Sequence, residues 1–266
     1  PRHHPGSPLR LMADAKIDPV FDLVVAGAAE TLVPAIGELV ARCVDEGRPA
    51  AEAASRWTEL VDAPGPWTLG RVRRGRVEVL PGRGGPLPYD SLPAPCEMFG
   101  VTAEFPVFAG CRTAHVFSDS GGTCVYACDF CSERRSAGPI RELETSADRL
   151  HRQLEAAART IREDEPDRNA AAFVEDSTFL TFAPRLVDRF VTLRESSSTP
   201  IRIGGQLTVA QVLARPQALT RLRSVGVDYL FIGFETLEPE SLGGMKKDVG
   251  RRTGPWVERV ERAVRT

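Results

Sequence analysis

From Ala114 onward the chain repeats one pattern, a short β-branched or aromatic run, a polar loop, and then a helix-compatible stretch of three or more turns. The runs predict strands at about His115–Ser118, Ala171–Glu175, Pro200–Ile203 and Val227–Phe234. Helices are predicted at about Ser146–Glu163, Pro184–Glu195, Val209–Ser224 and Gly254–Arg265. Alternation of this kind gives an α/β fold in which right-handed crossover helices join parallel strands, here in four β/α units. In such folds ligands collect at the carboxyl ends of the strands, so polar residues just beyond each strand are the first candidates for function.

The N-terminal part is patterned differently. Phe21–Val25 reads as a short apolar strand and Glu30 to about Glu46 as a helix, with Leu32, Ile36, Leu39, Val40 and Cys43 on one face. Ala50–Ala63 is helix-compatible but weakly patterned. Trp67–Val72 and Arg76–Leu80 flank Arg73-Arg74-Gly75 and read as a hairpin. The stretch Pro81–Pro95 is so rich in Pro and Gly that neither helix nor strand can run through it. The expected organisation is therefore 1–95, a small α/β segment with its linker, and 96–266, the β/α series.

With 34 basic and 36 acidic residues the formal charge is −2, which leaves no basic field to draw nucleic acid or an anionic membrane. The longest apolar stretches, Val20–Ala29 and Tyr229–Phe234, fall short of the ~20 residues of a membrane span. The N-terminus lacks an apolar signal-peptide core, so a soluble, cytoplasmic protein is expected. Of the six cysteines, three cluster as Cys124, Cys128 and Cys131, where a disulfide scaffold would spread them. Clustered thiolates repel one another and ionise together when a cation or cluster neutralises them.

Three cysteines spaced CxxxCxxC can hold three corners of a 4Fe-4S cluster and leave the fourth iron without a protein thiolate. A closed zinc site would instead need a fourth ligand such as Cys111 or His115. Cys43 reads as a core residue of its helix. The motif, with Phe130 just before its third cysteine, resembles that of the radical S-adenosylmethionine (SAM) enzymes, and it sits in the loop after the first strand, where that family's barrel carries it. The resemblance implies that Cys124, Cys128 and Cys131 ligate a 4Fe-4S cluster, that SAM chelates its open iron, and that reductive cleavage gives a 5′-deoxyadenosyl radical. It also implies Phe130 near the adenine and a reductant such as flavodoxin or ferredoxin.

The other strand ends extend the likeness. Glu175-Asp176-Ser177-Thr178-Phe179 is similar to the acidic turn after the second strand in the cobalamin-associated group, with helix N-capping as the alternative for Ser177 and Thr178. Gly204-Gly205-Gln206 reads as the end of the third strand, where glycines let backbone approach a ligand or simply make a tight turn. Glu235, after the apolar fourth strand, resembles the family's acidic residue facing SAM, where burial would demand a cationic or hydroxyl partner, with a solvated loop glutamate as the alternative. Glu175, Asp176, Gln206 and Glu235 are thus the expected SAM-site residues. Gly243–Lys247 resembles a segment that often follows in this group and is given no catalytic role.

Residues Phe21–Leu32 and the Pro/Gly linker resemble, loosely, the end of a cobalamin-binding domain and its connector. The Asp-x-His-x-x-Gly signature that places a histidine beneath cobalt is absent, and His3 and His4 read as loop. Cobalamin binding by this chain alone is not expected, although the resemblance keeps it in view. A radical SAM core usually has six β/α units arranged as a partial (β/α) barrel and four are read here, so the resemblance implies an incomplete partial barrel, and the chain reads as a fragment of a longer enzyme or a minimal member needing a partner. The expected function is SAM cleavage serving methyl transfer, methylthio transfer or rearrangement of a small-molecule or peptide substrate. The competing expectation is a non-catalytic iron–sulfur or metal-binding protein, or an inactive remnant.

Overall fold

The computed structural model describes residues 7–18, 20–27, 29, 31–83, 93–101, 104–118, 128–131, 146–238, 240–241 and 255–266. The chain divides into two compact units, Pro1–Pro88 and Tyr89–Thr266.

In the first unit, α1 (Pro8–Ala13), β1 (Val24–Gly27) and α2 (Leu32–Asp45) are followed by short 3-10 turns at Ala50–Ala54 and Trp57–Asp62 and by β2 (Trp67–Arg73) and β3 (Arg76–Pro81). The sheet order is β1-β2-β3 and both pairings are antiparallel. The expected hairpin closes at Arg73↔Arg76, with Arg74 at φ 51° and Gly75 at φ 71°. Two left-handed residues in a row are what a two-residue turn between twisted strands requires, and glycine adopts that state without steric cost. The apolar stripe of α2 buries Leu32, Leu39 and Cys43 against Trp57, Leu60, Trp67 and Leu69. The helix-compatible stretch Ala50–Ala63 forms tight turns because Trp57 and Leu60, three residues apart, both reach this core. β1 lies three residues later than the predicted strand, where Val24–Gly27 finds its partners Trp67–Gly70.

The second unit contains α3 (Pro95–Phe99), β4 (Cys111–Val116), α4 (Ser146–Asp164), β5 (Asn169–Val174), α5 (Pro184–Glu195), β6 (Arg202–Thr208), α6 (Val209–Ala214), α7 (Pro216–Ser224), β7 (Val227–Gly233) and α8 (Trp256–Arg265). Its four strands run parallel in the sequential order β4-β5-β6-β7. The α/β expectation is met, with a sheet of the partial-barrel kind.

Strand side chains alternate between faces. Ala114, Val116, Ala172, Val174, Ile203 and Leu207 are buried in one core with Leu150, Leu154 and Ile161 of α4 and Val187, Phe190 and Val191 of α5. On the opposite face Cys111 and Ala171 pack with Phe108 and the half-buried Phe105, Phe173 and Tyr229. Register aligns His115 with Phe173, Phe173 with Gly204 and Gly204 with Tyr229, so these residues form one row across this second face.

Two expectations need correction. Val209–Ser224 is not one helix: Pro216 has no N–H and clashes with the preceding turn, so the chain breaks at Arg215 (φ −148°, ψ 65°). Gly204 and Gly205 do not turn the chain but lie inside β6, which continues to Thr208. A Cβ on Gly204 would come within 2.8 Å of Phe108, and one on Gly205 within 2.6 Å of Phe179. Aromatic packing on both faces therefore demands the glycines. Thr208 ends the strand as a capping box for α6, its N–H donating to Gln211 Oε1 at 3.0 Å. Among the described residues no helix is long and apolar enough to cross a membrane.

Candidate active site

The carboxyl edge of the parallel sheet is tied together by side chains. Beyond β4 the ladder ends, and its exposed backbone donors need acceptors. Gln153 of α4 accepts from the Phe117 N–H at 3.0 Å, and Asp176 accepts from the Ser118 N–H at 2.9 Å. The Ser118 hydroxyl donates to the other oxygen of Asp176. From β6, the Gln206 amide donates to the Asp176 carbonyl at 3.4 Å. Asp176 thus clasps the ends of three adjacent strands. Its carboxylate bonds are charge-assisted, hence stronger than neutral ones, and Ser118 is fully buried.

Glu175, one residue earlier, faces the other way. Alternation puts it on the same face as His115 and Phe173, and its Oε1 lies 2.5 Å from His115 Nδ1. The His115 ring meets Phe105 edge-on at 5.5 Å between centroids, and Phe105 stacks on Phe173 at 5.8 Å.

Glu235 lies two residues past β7, exposed rather than buried, in the left-handed region at φ 51°. This placement agrees with the solvated-loop alternative rather than with burial at the strand end, since the strand's apolar run stops before it. A non-glycine residue held there costs about 1–2 kcal/mol, and such positions concentrate at functional sites. Thr178 is buried and precedes the 3-10 turn Phe179–Phe182 with no side-chain cap bond, and α5 starts after Ala183, so the capping alternative is not met for Thr178. Leu180, Thr181 and Phe182 follow with φ of 48°, 50° and 54°, an unusual run for residues with side chains.

Of the cysteine motif, Cys124 lies outside the described residues. Cys128 is buried and Cys131 half-buried, on one turn closed by the Cys131 N–H donating to the Cys128 carbonyl at 3.2 Å, and neither is in a disulfide. Two soft thiol ligands on one turn suit iron or another thiophilic metal. Phe130, between them, is 52% exposed. Cys111 is the first residue of β4, at the opposite edge of the sheet from the cysteine turn, which counts against it as a closing zinc ligand, while His115 is turned by its Nδ1 to Glu175. The segment Gly243–Lys247 and the pair His3 and His4 also lie outside the described residues.

Sequence reading singled out Asp176, Glu175 and Gln206 from their places after strands, and the structure brings them to one sheet edge. It gave no role to Ser118 or Gln153 and saw His115 only as a possible zinc ligand. Alternation from His115 to Phe117 carried some signal, but the pairing with Glu175 depends on a register between strands 60 residues apart.

No protein-family model and no curated protein matches the sequence. Solved structures do match in fold. The chain is similar to the apo, selenomethionine-labelled cobalamin-dependent S-adenosylmethionine radical enzyme OxsB, with a TM-score of 0.62 at 15% identity over 97% of this chain and 33% of that one. It is also similar to OxsB with aqua-cobalamin and S-adenosylmethionine bound, with a TM-score of 0.54 at 17% identity over 86% of this chain and 30% of that one. The chain thus spans about a third of the length of the structures it matches. The likeness is one of fold, and that fold is the one in which a CxxxCxxC loop was expected.

Proposed function

We propose that the chain is a radical SAM enzyme in which Cys124, Cys128 and Cys131 hold a 4Fe-4S cluster beside a SAM site at the carboxyl edge of the parallel sheet. The observation that carries this reading is the coincidence of the cysteine turn, in the loop after β4, with a radical SAM-type fold whose strand ends are clasped by Asp176. Cluster and SAM, when bound, supply a 5′-deoxyadenosyl radical. The chain's own residues do the positioning. Three thiolates leave one iron open, Phe130 offers an exposed ring to the adenine, and Gln206 and Glu235 offer polar groups to SAM. Asp176 keeps the strand ends in register under them. Glu175 belongs to the same edge, its carboxylate turned to His115.

The substrate is a small molecule or peptide, the electron comes from a flavodoxin or ferredoxin, and the clustered thiols suit a reducing cytoplasm. Residues 1–95 act as a separate segment, and methyl or methylthio transfer and rearrangement are the reactions open to the core. For cobalamin the fit is poor. The first unit is an antiparallel sheet with no histidine among its described residues to stand beneath cobalt, so no step is assigned to that cofactor.

The test is anaerobic iron loading of the native chain and of a variant with all three cysteines changed to Ala, followed by assay of 5′-deoxyadenosine from SAM. Iron binding and cleavage in the native chain, both lost in the variant, are expected. Cleavage retained by the variant overturns the reading.

A further inference from the structure

His115 and Glu175 form a pair that binding a cluster and SAM does not call for. The carboxylate on Nδ1 fixes the tautomer with hydrogen on that nitrogen and leaves the Nε2 lone pair free. Among the described residues Nε2 has no hydrogen-bond partner, and 46% of the side chain stays exposed. The ring is held by Phe105, itself stacked on Phe173.

The surroundings define what could approach. Two residues beyond the row of His115, Phe173, Gly204 and Tyr229, strand alternation places Phe117, Glu175, Gln206 and Phe231 on the same face, Gln206 being in register with Phe231. Phe117 is 37% and Phe231 53% exposed. Phe117 follows His115 by two residues on the same strand line, and an exposed aromatic ring on the face of a paired histidine suits a flat apolar ligand that carries a polar hydrogen.

We propose that His115 is the proton acceptor toward substrate, with Glu175 as its positioning residue, and that the substrate is a flat, largely apolar ring compound bearing a hydroxyl group. In the step the substrate O–H bond breaks, its electron pair stays on oxygen, and the proton bonds to Nε2. The Nδ1 proton stays in place, and the Glu175 carboxylate balances the imidazolium. This deepens the function above and rests on the carboxyl edge being the active site, but it turns Glu175 from SAM to substrate.

The test needs neither cluster nor SAM, so its failure is distinguishable from failure of the radical SAM reading. The full chain is labelled with nitrogen-15, and the imidazole resonances are assigned with His115→Gln. 4-Fluorophenol serves as the probe and its binding is followed by fluorine NMR. The expected results are an Nδ1–H tautomer at His115, an Nε2 resonance that moves on adding the probe, and probe binding weakened roughly fivefold in His115→Gln, the loss of one net hydrogen bond. Glu175→Gln should mix the tautomers, and Glu175→Asp should restore part of the native signature. Phe117→Ala should weaken the probe while leaving the tautomer alone, which keeps the test decisive if a polar variant misfolds. An Nε2–H tautomer in the native chain, or unchanged probe binding in His115→Gln or Phe117→Ala, overturns the proposal.

Discussion

Replacing Asp176 with alanine should be among the most damaging changes at the sheet edge. The carboxylate accepts from both the backbone N–H and the hydroxyl of Ser118. Hydrogen bonds to a charged group contribute about 1.5–3 kcal/mol each, and bonds sharing one residue do not add fully. Ser118 is fully buried, so water cannot replace what is lost. The expected loss is about 3 kcal/mol, which at roughly 2–4 °C per kcal/mol lowers the Tm by roughly 6–12 °C. Asp176→Asn keeps the shape: its carbonyl still accepts from the Ser118 N–H, and its amide can donate to a hydroxyl rotated to accept. That variant should cost about 1 kcal/mol, and Ser118→Ala, which removes one charge-assisted bond, about 1.5–3 kcal/mol. Circular dichroism melts and urea titrations of the three variants and the double variant Asp176→Ala/Ser118→Ala give the comparison. A coupling energy of at least about 0.5 kcal/mol is expected for residues in contact. Equal destabilisation by Asp176→Ala and Asp176→Asn, or no coupling with Ser118, refutes the clasp.

Three further outcomes follow from packing and burial. Gly204→Ala pushes a methyl group into the rings of Phe108, Phe173 and Tyr229 and should cost about 1–3 kcal/mol by urea unfolding, whereas Gly75→Ala, with open space around it but φ of 71°, should cost about 1 kcal/mol from backbone strain alone. Arg194 is buried with Glu155 at 2.7 Å, so Arg194→Met, which strands the carboxylate beside Thr199 and Ser197, should destabilise by about 3 kcal/mol, and the double variant Arg194→Met/Glu155→Gln should recover part of that loss. Burial pushes the His151 imidazole below its ordinary range, so the unfolded chain takes up that proton first. Stability should then fall as pH drops below about 6.5, and His151→Leu should flatten that dependence in urea midpoints measured across the range.

What the sequence shows and what it hides divide along physical lines. The helix Pro184–Glu195 is legible to the residue because proline can open a helix and its apolar spacing is regular. The hairpin at Arg74-Gly75 is legible from local turn chemistry. β6 is legible only in part, since a glycine pair reads as a turn unless one knows that Phe108, Phe179 and Tyr229 crowd it from other parts of the chain. The cysteine spacing and the polar residues after each strand are short-range signals. The partners that define them are long-range, Ser118 for Asp176 and His115 for Glu175, and they exist only once parallel strands fix the register. Glu235 shows the limit in the other direction, because an apolar strand predicts burial while the chain turns it outward through a left-handed residue.

The central claim is an iron–sulfur cluster with one open iron. The most direct measurement is EPR of the anaerobically reconstituted and reduced chain, recorded with and without SAM. The account predicts the signal of a reduced 4Fe-4S cluster that changes when SAM is added. A cluster signal indifferent to SAM would mean a fully ligated site, and zinc bound in place of iron would contradict the account outright.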